Sequence, residues 1–125
     1  MSWQTYVDEQ LVGTGQLDGA IIIGLDGNSW ASKNLTLKAG EGQAIAALFK
    51  TPANVFASGI TINGIKYMGI KGDSRSIYGK KGATGVATVI TGQCILIGYY
   101  NEKQQPGNAA LVVEKLADYL IENGY

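Results

Sequence analysis

The sequence predicts a single α+β domain over residues 1-125: a central antiparallel meander sheet of about seven strands with helices on both faces. Three stretches predict it. Gly85 to Tyr100, GVATVITGQCILIGYY, is rich in β-branched and aromatic residues and broken only around Gly92, which gives two strands, Val86 to Thr91 and Cys94 to Tyr100. Both faces of this pair are largely apolar, with Val86, Thr88 and Ile90 opposing Ala87, Val89 and Thr91, and Ile95, Ile97 and Tyr99 opposing Cys94, Leu96 and Tyr100. A sheet wetted on one side alternates apolar and polar residues, so this one needs a helical layer on each face. The second stretch, Ile60 to Lys71, carries Asn63-Gly64, which supplies the positive φ angles of a two-residue type I′ hairpin turn. The third observation is helical periodicity at both ends of the chain, where the covering helices are needed.

Taken in order, Ser2 caps a helix over Trp3 to Val12 that stops at Gly13, with Trp3, Val7 and Leu11 on one face and Tyr6 and Gln10 beside them. Val7 and Leu11 suffice to dock so short a helix, which leaves Trp3 and Tyr6 available as a platform. Ala20 to Leu25 is a buried strand, Asp26-Gly27-Asn28 a turn, and Ser29 to Lys33 the returning strand that carries Trp30. Ile45, Leu48 and Phe49 keep helical spacing in a helix from Glu41 to Phe49, which Thr51-Pro52 ends because proline disfavours helical geometry at the residue before it. PANVFAS adds a short helical turn, and these two pieces cover the second sheet face. After the Asn63-Gly64 hairpin, Gly72-Asp73-Ser74 turns the chain into a short strand, Ser76 to Tyr78, and GKKGATG leads into the central pair. Pro106-Gly107-Asn108 breaks the last strand before a helix over Ala109 to Ile121. Ala109, Val113, Leu116, Ala117 and Leu120 form its apolar stripe, with Glu114, Lys115, Asp118 and Glu122 opposite. Leu111 falls on the charged face, and Tyr119 on the flank of the stripe.

Composition narrows the function. A chain of 125 residues, 46% hydrophobic and 16% charged, is globular rather than disordered and has no apolar run near the ~20 residues that span a bilayer. The start, MSWQTYVDEQ, has neither the basic nor the apolar segment of a secretory signal, so a cytosolic protein is expected. Cys94 is the single cysteine, placed within a strand as a buried structural thiol. There is no histidine, hence no ordinary general base near neutrality and no histidine metal ligand. Asp8-Glu9 and the i, i+4 set Glu114, Asp118 and Glu122 read as surface carboxylates without complementary ligands, and GKKGATG lacks both the lysine after the second glycine and the following helix of a phosphate loop. A binding protein without a cofactor, not an enzyme or a nucleic-acid binder, is the reading. Charge points to a partner: the net charge is zero, yet Lys66 to Lys103 holds six basic residues (Lys66, Lys71, Arg75, Lys80, Lys81, Lys103) against Asp73 and Glu102. A sheet gathers these on one rim, which offers a positive field to an acidic surface.

SWQTYVDEQLVGTG at the start, GLDGNSWA in the first hairpin, RSIYGKKGATGV, and YNEKQQPGNAALVVEKLADYLIENGY at the end together resemble the profilins, most of all the short profilins of amoebae and other lower eukaryotes. The resemblance covers the whole chain in order. It implies a monomeric actin-monomer-binding protein of the cytoplasm, cytoskeleton and cell cortex, with the terminal helices together on one sheet face. It assigns Trp3, Tyr6, Trp30, Tyr119 and Tyr125 to a groove for polyproline segments of assembly factors; many animal members have a histidine where Tyr119 stands, and the tyrosine keeps the platform aromatic. Polyproline is a stiff, pre-extended helix, so flat aromatic faces bind it at little entropic cost. The resemblance assigns Lys71, Tyr78, Lys80, Lys81, Gln104, Gly107, Asn108, Leu111 and Lys115 to the actin surface. Acidic phosphoinositides, phosphatidylinositol phosphates at the membrane surface, are expected to compete for Lys66, Lys71, Arg75, Lys80, Lys81 and Lys115. It also implies promotion of nucleotide exchange on actin and delivery of monomers for polymerisation. The contrasting reading is a small sensory or scaffolding domain of similar frame, which would bury its aromatics around a cavity instead of displaying them.

Overall fold

The computed structural model describes residues 2–125 and carries seven strands in one antiparallel sheet with helices on both faces, as the sequence predicts. The strands are β1 (Gly19–Gly24), β2 (Ser29–Lys33), β3 (Ile60–Ile62), β4 (Ile65–Gly72), β5 (Ser76–Lys81), β6 (Thr84–Ile90) and β7 (Cys94–Tyr100). The spatial order is β2-β1-β7-β6-β5-β4-β3. Strands β3 to β7 form the meander; the first hairpin then adds at its far edge, because β1 pairs with β7 over Gly19–Gly24. The β6–β7 pair lies inside the sheet, which is why both its faces are apolar.

Each face has its own core. Val7, Leu11 and the predicted stripe Ala109, Val113, Leu116, Ala117 and Leu120 pack on Ala20, Ile22, Ala87, Val89 and Leu96, so the terminal helices share one face. On the other face Ile45 and Phe49 of α2 (Glu41–Leu48) and its C-terminal turn, with Val55 of α3 (Val55–Ser58), cover Ile21, Ile23, Val86, Ile95 and Ile97. Asn63 and Gly64 adopt φ of 53° and 78°, the left-handed pair that a type I′ turn requires. Glu41 anchors that turn to α2 by accepting the backbone N–H groups of Asn63 and Gly64 at 2.6 and 2.7 Å.

Four boundaries differ from expectation. The N-terminal helix is α-helical only at α1 (Trp3–Thr5); Tyr6–Leu11 is wound as a π-helix and Val12–Thr14 as a 3₁₀ turn. The Val12 N–H reaches back five residues to the Val7 carbonyl, and a Cβ on Gly13 would sit 2.4 Å from the Asp8 carbonyl oxygen. Gly13 therefore permits the wide winding instead of ending the helix, and Gly15, at φ 78°, turns the chain out. The C-terminal helix, α4 (Pro106–Glu122), starts earlier than Ala109, because proline at the first helical position has no N–H to lose and its φ already suits a helix. Strand β5 runs on to Lys81 and β6 begins at Thr84, since Lys81 pairs with Thr84 around a Gly82-Ala83 turn. The first strand is shifted by one residue, which leaves Leu25 exposed in the turn.

Candidate functional site

An aromatic surface forms where three elements meet. Trp3 and Tyr6 lie one helical turn apart, and the Ser2 hydroxyl caps their helix by accepting the Thr5 N–H at 3.1 Å. The Gln4 amide donates to the Ser32 carbonyl at 2.9 Å, which ties this helix to β2 and sets Trp3 beside Trp30. The Trp30 indole rests over Gly24, where a Cβ would come within 2.9 Å of its Nε1. At the other end, Tyr125 donates its N–H to the Leu120 carbonyl at 2.8 Å and accepts from the Thr91 hydroxyl at 3.1 Å. Trp3 is then the hub: its ring centroid lies 5.6 Å from Tyr6, 5.0 Å from Trp30 and 5.4 Å, edge to face, from Tyr125. Tyr6 continues the row to Tyr119 at 6.3 Å. All five residues assigned to the groove are thus brought together. Trp30, Tyr119 and Tyr125 are 40%, 48% and 41% exposed, too open for the lining of an enclosed ligand cavity. Burial and the neighbouring Tyr119 push the Tyr6 phenol above its ordinary range, so it keeps its proton and can donate to a peptide carbonyl. Past Tyr6 and Tyr119 the surface opens into a cavity of ≈ 390 Å³, lined also by Gln10, Thr14, Val112, Lys115 and Leu116.

The second surface lies on β4, β5 and the outer side of α4. Lys80 and Lys81 end β5 as exposed hairpin charges. Lys71 pairs in register with Tyr78, with its ammonium 5.3 Å above the ring and 3.8 Å from Asp73. Lys66 and Met68 alternate onto one face of β4, and Met68 stands opposite Lys80, so Lys66 belongs to the same rim. Gly107, Asn108, Leu111 and Lys115 are exposed on α4, and Leu111, at 50%, confirms the helix phase read from the sequence. Gln104 is committed internally: its amide donates to the Gly15 carbonyl at 3.1 Å and its oxygen accepts the Asn101 N–H at 2.9 Å.

Arg75 and the α4 carboxylates depart from expectation. Arg75 leaves the basic rim and lies against α4, with Nε 3.0 Å from Glu114 and Nη2 2.8 Å from Asp118. Ser76 donates to the same Glu114 carboxylate at 2.6 Å, and the Tyr78 hydroxyl donates to it as well. Glu114 is therefore a half-buried acceptor between helix and sheet instead of a surface charge. Burial alone would raise its pKa, but the hydrogen bonds from Ser76, Tyr78 and Arg75, with the guanidinium charge, hold it below the ordinary 4.5. Burial and the same carboxylate push the Tyr78 phenol well above its usual range.

Sequence reasoning passed over Met68 and Ile70, which are 70% and 50% exposed on β4 beside the lysines. The signal for Met68 was available, because Tyr67 is a buried neighbour and alternation sends residue 68 outward. Ile70 was not legible: a bulge between Gly69 and Lys71 breaks the alternation there. Ile70 lines a shallow cavity of ≈ 180 Å³ with Tyr78, Tyr100, Pro106, Gly107 and Ala110, which gives the basic rim an apolar centre. Among the described residues no helix is long and apolar enough to cross a membrane.

The chain matches the Profilin family over residues 1–125. It is 66% identical to Profilin-A of Physarum polycephalum and 62% identical to Profilin-1 of Dictyostelium discoideum, in both cases across the full length of each chain. The solved structure of Acanthamoeba castellanii profilin IB superposes with a TM-score of 0.95 at 52% identity, covering 99% of this chain and 100% of the other.

Proposed function

The chain belongs to the profilin family, and from that premise we propose that it binds actin monomers through the β4–β5–α4 surface and proline-rich segments through the aromatic groove. It delivers monomers to assembly factors and promotes their nucleotide exchange. The observation that carries this reading is the convergence of five aromatic side chains from both ends of the chain and from β2 onto one open surface. A sensory domain of the same frame has no use for such a display, whereas a proline binder requires it. Retention on immobilised polyproline, together with a shift of labelled actin monomer, tests the two halves separately; a protein that is folded but shows neither would overturn the proposal.

The actin half rests on a polar-rimmed apolar patch. Lys66, Lys71, Lys80 and Lys81 supply the positive rim, and Met68, Ile70 and Leu111 the groups desolvated when the partner arrives. Acidic phosphoinositide headgroups compete for the lysines, while Arg75, already matched by Glu114 and Asp118, contributes least. Replacing Lys80 and Lys81 with glutamate is expected to slow association with actin and weaken binding to acidic vesicles, with both effects shrinking as salt rises, because exposed charges are screened within about 8 Å at physiological ionic strength. Stopped-flow association at low salt is the measurement, and equal rates for wild type and variant would reduce the rim to a solvated edge.

Leu111→Ala separates binding from folding. An exposed leucine should cost within about 0.5 kcal/mol of stability, where a core leucine costs roughly 2 to 5 kcal/mol. The expected result is near-normal denaturant unfolding with a clear loss of actin affinity, since apolar groups at the centre of such a patch carry much of the binding energy. Normal affinity with normal stability would remove Leu111 from the surface.

A further inference from the structure

Tyr6 and Tyr119 do not close the aromatic groove; they are also the near wall of the cavity that continues it between the N-terminal helix and α4. One side of that cavity is the π-wound segment, which carries Tyr6 and Gln10, and the other is α4, which carries Val112, Leu116 and Lys115. Lys115 is exposed and, among the described residues, makes no salt bridge. A run of prolines has no charge, so a cation at the end of a proline groove has nothing to recognise in proline itself.

We infer that this cavity reads the residues flanking the proline run, taking one apolar side chain against Val112 and Leu116 and a carboxylate at Lys115. The inference rests on the proline-binding reading of the groove. Two observations fix the occupant. The shared tyrosine rings make the cavity continuous with the groove, so a chain that leaves the stack on this side enters it directly. A volume of ≈ 390 Å³ lies near the lower end of small-ligand sites, enough for one or two side chains and too little for a folded element. Gln10 at its edge suits a peptide carbonyl or N–H of the entering chain.

Titration of the intrinsic tryptophan fluorescence with synthetic peptides tests the inference. The peptides are a plain proline decamer, the same decamer followed by Leu-Glu or preceded by Glu-Leu, and versions with lysine in place of glutamate. One glutamate-flanked peptide is expected to bind roughly fivefold to thirtyfold more tightly than the plain decamer at low ionic strength, an advantage lost in its lysine version. In Lys115→Glu the ratio should invert in favour of the lysine-flanked peptide. Equal affinities for all peptides, or an unchanged glutamate preference in Lys115→Glu, would overturn the inference and leave the groove a plain proline site. Failure of the plain decamer to bind would overturn the groove reading and this inference with it.

Discussion

Trp3→Ala is expected to lose at least about 2 kcal/mol of polyproline affinity, roughly thirtyfold, and more than any other single groove substitution. The reason is position. Trp3 touches Tyr6, Trp30 and Tyr125 at centroid distances of 5.0 to 5.6 Å, whereas among the described aromatic rings Tyr119 pairs only with Tyr6, at 6.3 Å. Removing the hub deletes a stacking face and also frees three neighbours that it holds in place, so the remaining rings must be ordered when ligand binds. Because each lost aromatic pair is worth about 0.5 to 1.5 kcal/mol, some folding stability goes as well, and thermal unfolding has to accompany the titration. Unchanged affinity for a proline-only peptide in a stable variant would take Trp3 out of the site. Tyr119→Ala, at the edge of the row, should lose less; a larger loss there would move the centre of the groove toward the adjoining cavity.

The fold was legible where a residue's role is set by its nearest neighbours in sequence. Asn63-Gly64 dictates its own turn, and the stripe from Ala109 to Leu120 reads as a helix face without knowing what it packs on. The apolar content of both faces of β6 and β7 sufficed to demand two helical layers. What escaped is set by distant partners. The π winding of Tyr6–Leu11 is invisible to a 3.6-residue period, and Gly13, which permits it, looks from the sequence like a stop. Pro106 looks like a breaker because proline ends strands and starts helices by the same loss of an N–H, and only the surrounding chain decides between the two.

The site divides in the same way. Groove aromatics sit at chain ends or on an edge strand, where exposure follows from local pattern, and Leu111 stood out against charged neighbours on its own helix. Arg75 and Glu114 were misplaced because charge along the sequence does not show which charges a sheet and a helix will press together. They are 39 positions apart in sequence, and only the pairing of β5 beneath α4 makes them partners. The basic rim consequently belongs to lysines alone, and the carboxylates opposite the α4 stripe do not form a continuous acidic face.

Glu114→Ala is expected to be the most destabilising of these substitutions, at about 3 kcal/mol, because it removes the common acceptor of Ser76, Tyr78 and Arg75. Most of that loss comes from the sheet side. Ser76 is buried and Tyr78 half-buried, so both hydroxyls lose a charged acceptor that water replaces poorly, whereas the Arg75 side chain is 40% exposed and recovers water, so its ion pair contributes little. Glu114→Gln keeps the shape and an acceptor oxygen but not the charge and should lose about half as much. Acid provides an independent check. A carboxyl held below its ordinary 4.5 in the folded protein adds stability that is complete above that value and lost as the pH falls through the lower folded value. The difference between wild type and Glu114→Ala should therefore be full at neutral pH and shrink below about pH 4.5. Urea unfolding of both proteins at neutral and acid pH measures it. A difference that stays constant across that range would mean that Glu114 acts through packing rather than through its charge, and a variant as stable as wild type would mean that the link between β5 and α4 is held by the apolar stripe alone.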